Sequence, residues 1–163
     1  MSFFRNTYFN NFFYPLTRRA LFKNHKFKDI HKGEKCYIFG NGASIKYFDL
    51  AEFNDRIAIT CGAMFLHKDY QKLNVKYYYT GHPFFYYPYW TNPYNQKFER
   101  NRTGLIYKKN IYARNDIDYF INLTNYFGIS GKNVHFLYRY GQPFSGIKGS
   151  DLTGKYTFMD SAL

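Results

Sequence analysis

Asn41, Gly42, Ser44 and His82 are the residues whose types and spacing could do chemistry. Asn41, Gly42 and Ser44 sit in one short stretch, Lys35-Cys-Tyr-Ile-Phe-Gly-Asn-Gly-Ala-Ser44. Its two glycines permit backbone angles closed to other residues and let a ligand approach the main chain. A strand that runs through such a turn into a helix start offers free backbone N–H groups and a positive dipole end, which suits phosphate. Ser44 is the candidate N-cap of that helix start. The third glycine of the dinucleotide fingerprint G-x-G-x-x-G is missing, with Ile45 in its place, so a plain tight turn accounts for the stretch equally well. His82 precedes Pro83 at the end of a predicted strand, where an imidazole could act as a base or a phosphate partner. A loop histidine bonded only to its neighbours is the favoured alternative.

Other chemistries leave no signature. His25, His31, His67 and His135 show no ligand spacing with cysteine or acid, so no metal and no cofactor is expected. G-x-S-x-G and P-loop patterns are also lacking.

The elements that must position these residues are short. Apolar runs bounded by glycine predict parallel strands at Cys36–Phe39, Ile57–Cys61, Val75–Thr80, 105–108 and 134–138. Helices are predicted at 63–73 and 116–127, with Asp49 capping a shorter one at 50–53. Strands alternating with short helices define a Rossmann-like α/β fold, a mostly parallel sheet with flanking helices. In such sheets ligands bind at the carboxyl ends of the strands. The 40–42 turn, Gly62 and Gly81 to Pro83 would converge there. Between them and the fourth strand runs an aromatic loop, Phe-Phe-Tyr-Tyr-Pro-Tyr-Trp-Thr-Asn-Pro-Tyr94. Trp90 and its neighbours could stack on a sugar or base, although covering the sheet is the preferred reading.

At 163 residues, with 45% hydrophobic residues, the chain suffices for one domain with a real core. Aromatics reach 24%, with 19 Tyr and 19 Phe. The net charge of +12 suits nucleic acid, anionic membrane or a nucleotide-linked substrate. Basic residues are spread along the whole length without a nucleic-acid-binding signature, so no specific nucleic acid is expected. The chain lacks an apolar run of ~20 residues and a signal-peptide pattern. Cys36 would enter the first strand and Cys61 leave the second, putting the thiols ~10 Å or more apart, too far for a disulfide. Both are read as reduced core residues of a cytoplasmic protein. The sequons at Asn101 and Asn122 are then accidental.

Residues 1–32 are read as a basic, aromatic N-terminal extension, and 33–163 as the Rossmann-like domain. The extension could contact anionic membrane peripherally, or pack its aromatics on the domain, which is preferred. A last helix over 155–163 stops on Met159, Ala162 and Leu163 without a cap, so a C-terminally truncated, incomplete domain is expected.

On two stretches the chain resembles the bacterial sialyltransferases of glycosyltransferase family 42. It also resembles the related domain-of-unknown-function 115 proteins, which include motility-associated flagellin glycosyltransferases and an archaeal pterin pyrophosphokinase. Their Gly-Asn-Gly-Pro-Ser-Leu element looks like Gly40-Asn41-Gly42-Ala43-Ser44-Ile45 here, and their later Ser-Gly element looks like Thr153-Gly154. The resemblance implies that Asn41, Gly42 and Ser44 hold the phosphate and ribose of a nucleotide sugar, a CMP-linked one favoured, with Thr153 and Gly154 closing from the opposite side. It further implies metal-independent transfer to a cell-surface glycan acceptor. Two positions depart from the pattern. Gly62 stands where an Asn commonly contacts the nucleotide, and His82 stands where Asn or Asp precedes proline. A non-catalytic basic α/β module that binds nucleic acid or anionic membrane is the alternative.

Overall fold

The computed structural model describes residues 14–91 and 96–137, with only the backbone for 14–17. Thr153, Gly154, the last predicted helix and the aromatics before Tyr14 lie outside the described residues.

The chain begins with helix α1 (Tyr14–Phe22) and then builds strands β1 (Cys36–Phe39), β2 (Ile57–Cys61) and β3 (Val75–Thr80). A small antiparallel hairpin follows, β4 (Tyr89–Thr91) with β5 (Phe98–Arg100). Helix α2 (Arg102–Ala113) leads into β6 (Asp118–Asn122) and β7 (Val134–Leu137). The main sheet is five-stranded, wholly parallel, and ordered β1-β2-β3-β6-β7, an α/β, Rossmann-like architecture. The order never reverses among the described strands, so right-handed crossovers stack their connections on one face.

Side-chain alternation sorts the two faces. Phe39, Thr60, Tyr78, Tyr119 and Val134 are successive register partners and all point into the core with Leu50, Met64, Tyr70, Tyr86 and Ile111. Four of the largest fully buried side chains are tyrosines: Tyr70, Tyr78, Tyr86 and Tyr119. On the opposite face the segment after α1 crosses the sheet. Phe27 packs edge-on against Phe120 and His135, at 4.9 and 4.7 Å between ring centroids. His31 Nε2 meets the Tyr77 hydroxyl at 2.7 Å. His135, 5% exposed, is paired to Asp118 at 2.6 Å, and burial lowers its pKa.

Two predicted elements exchange type. The run at 105–108 lies inside α2, because Asn101 caps that helix through the Gly104 N–H at 2.8 Å and Gly104, Tyr107 and Ile111 recur on its buried side. The predicted helix at 116–127 is instead β6 followed by a 3-10 turn at Leu123–Asn125. Ile117, Tyr119 and Ile121 are buried at alternating positions, and β3 and β7 pair with the strand on both sides. The predicted helix at 63–73 is two separate turns, Met64–Leu66 and Tyr70–Lys72, interrupted where His67 Nδ1 accepts from the Asp69 N–H. Asp49 does cap its turn, accepting from the Ala51 N–H at 3.0 Å.

Both cysteines are free, as their places at opposite strand ends require. Cys36 is exposed rather than in the core, because β1 is the sheet edge and Cys36 lies on its uncovered face. Asn101 and Asn122 are 0% and 2% exposed, so both sequon amides are interior.

Candidate functional site

All parallel strands point the same way, so the 40–44 turn, Gly62, Gly81 and His82 lie along one edge, at the carboxyl ends of β1, β2 and β3. Asn41 and Gly62 follow adjacent strands and touch. Gly62 adopts φ +59°, and a Cβ built there would come within 2.5 Å of the Asn41 Cγ and Nδ2. The Asn41 amide thus fills the space that a side chain at 62 would take. The Tyr78 hydroxyl donates to the Gly62 carbonyl from below, and burial holds that phenol far above its ordinary pKa, as a donor.

The turn is tied back to β2 through Cys61. Its thiol donates at 3.6 Å to the carbonyl of Phe39, the last residue of β1. Burial pushes the Cys61 pKa up, the Asn41 N–H only partly opposing it, so the group is a thiol at neutral pH and a poor nucleophile.

The two glycines of the turn are not there for unusual angles. Gly42 has φ −61° and ψ 153°, and Gly40 is likewise outside the left-handed region. A Cβ at Gly40 would meet nothing within 4 Å, and one at Gly42 only the Ser44 Oγ at 3.9 Å. Nothing in the fold itself therefore demands glycine at either position. Ser44 is not the cap. Gly42 holds that position, and Ser44 lies within the 3-10 turn Ala43–Tyr47, with its side chain exposed.

His82 stands two strands further along, at ~10 Å by strand spacing. Its side chain is exposed, with the ring 5.4 Å from that of Phe85. What holds it is a set of residues the sequence reading missed. Asn125, 0% exposed, donates to the His82 and Asn122 carbonyls at 2.9 and 3.2 Å and accepts from the Tyr86 N–H at 2.9 Å. Asn122 donates to the Gly81 carbonyl, and the Thr124 hydroxyl accepts from the Phe84 N–H. From α2, Asn101 donates to the Phe85 and Tyr87 carbonyls. The polar run Asn122-Leu-Thr-Asn125 behind an alternating apolar stretch was the available signal, hidden once 116–127 was read as a helix.

Clamped in this way, the aromatic loop covers the sheet. Phe85 and Tyr86 are buried, and Trp90 packs edge-on against Phe85 at 5.7 Å. Among the described residues no three His, Cys, Asp or Glu side chains gather where they could hold a metal ion.

The structure thus brings Asn41 and Gly62 into contact, sets Gly42 and Ser44 beside them, and places His82 on the same edge at a distance. Fold and edge together define a Rossmann-like α/β protein with a candidate ligand site at its strand ends. The chain matches no family model, no curated protein and no solved structure.

Proposed function

We propose that this chain is a glycosyltransferase-like protein that binds a nucleotide-activated sugar, a CMP-linked one favoured, for transfer to a cell-surface glycan. The observation that carries the reading is the exposed Asn41 amide seated on Gly62 where two adjacent parallel strands end. It supports a ligand at the Gly42–Ser44 main chain, where carboxyl-end loops of such sheets bind. In the implied reaction an acceptor hydroxyl oxygen bonds to the anomeric carbon. The bond from that carbon to the phosphate oxygen breaks, and its electron pair leaves with the nucleotide. The hydroxyl proton passes to a base, for which His82 is the candidate on this edge. Its separation from Asn41 suits a group that meets the acceptor end of the donor rather than the phosphate.

The net charge of +12 favours one other reading, a basic module that holds a polyanion without turnover. Calorimetric titration of the chain with CMP and other nucleotides separates the two. A specific site saturates with modest salt dependence, whereas polyanion binding collapses as salt rises. No heat with any nucleotide at millimolar concentration would overturn the proposal.

A further inference from the structure

The β4–β5 hairpin stands outside the main sheet and has two unlike faces. Its inner face turns Trp90 onto Phe85 and the core. Its outer face presents Tyr89 and Phe98, 56% and 74% exposed, as diagonal neighbours across the two strands. Their rings lie 5.9 Å apart and within 20° of parallel. Arg100, opposite Tyr89, is exposed on that same outer face, and Lys97 and Arg102 are exposed just beyond the strand ends. Glu99, the acid of this segment, pairs with Trp90 on the inner side.

We propose that this outer face docks the protein on an anionic lipid surface. The headgroup layer of a membrane suits this face: it has an apolar boundary for a phenyl ring, a polar level for a tyrosine, and anions that attract exposed Arg100 and Arg102. The charge balance agrees, with 23 Lys and Arg against 11 Asp and Glu. A protein partner fits poorly, because a stable interface takes roughly 800 Å² per side and this face is four residues. A membrane lets the surrounding cations add to the same contact. Phe85 lies against both Trp90 and His82, so the docked hairpin sits a few side chains from the strand-end edge. Docking requires nothing of the nucleotide reading.

Trp90 is the one tryptophan of the chain and faces inward, so Phe98→Trp in a Trp90→Phe chain puts the fluorescent probe on the outer face. The full chain is mixed with vesicles of phosphatidylcholine alone or with added phosphatidylserine, some carrying bromine on the acyl chains. The expected result is cosedimentation with the anionic vesicles only, weakened by salt, and quenching of the Phe98→Trp probe by the brominated lipid. Arg100→Glu should weaken binding more than roughly fivefold, since one lost cation alone costs about that factor. Tyr89→Ala with Phe98→Ala should weaken it roughly tenfold and leave nucleotide titrations unchanged. If the double variant loosens the hairpin, Arg100→Glu and quenching of the Phe98→Trp probe still decide. Equal binding by wild type and both variants, binding without quenching, or retention on a neutral polysaccharide with no vesicle binding would overturn the proposal.

Discussion

Two loops at the same edge of the sheet use the same side chain in opposite ways. After β3, residues 81–88 are fastened by Asn101, Asn122 and Asn125, whose buried amides are spent on backbone carbonyls and N–H groups. After β1, residues 40–44 carry Asn41, which is exposed and whose amide fills the space a side chain at Gly62 would take. An asparagine that satisfies backbone inside the protein is part of the fold, because leaving its partners unpaired is costly. An asparagine that faces water over a glycine has an amide still available to a ligand. Residue type does not separate the two, whereas burial and partners do.

The largest expected effect that tests this contrast is Asn125→Ala. It leaves the His82 carbonyl and the Tyr86 N–H without their side-chain partner, at a cost of ~3 kcal/mol. Thermal denaturation should show a midpoint lower by about 10 °C. A melting temperature within a degree or two of wild type would mean that the clamp is not what holds the 81–88 loop.

Gly62→Ala should cost less, about 1–2 kcal/mol, from a side chain forced into the left-handed region against the Asn41 amide. Urea denaturation would measure it. An unchanged midpoint would show that Asn41 moves aside freely, and the contact on which the proposed site rests would be lost.

The smallest effects on stability belong to the turn itself. Gly42→Val and Asn41→Ala should each change stability by less than about 0.5 kcal/mol, as exposed substitutions do. Both should nonetheless weaken nucleotide binding, Asn41→Ala by ~1–3 kcal/mol and Gly42→Val by bringing a Cβ toward the phosphate. The diagnostic is the combination of intact melting curves with lost titration heat. Lost stability with unchanged binding would invert the comparison and make the 40–44 turn as structural as the 81–88 loop.

Taken alone, the sequence determined the class of fold and the first three strands. Cys36–Phe39, Ile57–Cys61 and Val75–Thr80 have the bounds expected of them, because each is a short apolar or aromatic run closed by glycine at or one residue beyond its end. The signal was local and needed no neighbour to complete it. The exchange at 105–108 and 116–127 shows the limit. Ile117, Phe120 and Ile121 fit a helical period while Ile117, Tyr119 and Ile121 fit a strand, and a dozen residues cannot separate the two periods. Hydrogen bonding to β3 on one side and β7 on the other decided it. The glycine turn was visible as a turn, yet its glycines proved unnecessary to the backbone, whereas Gly62, placed at the strand-end edge from its position alone, is the one among them that carries positive φ. Which asparagines are interior, and which one faces water, depended on contacts between residues some 14 to 43 positions apart. Such contacts leave no periodicity in the chain, and only the packed structure brings them together.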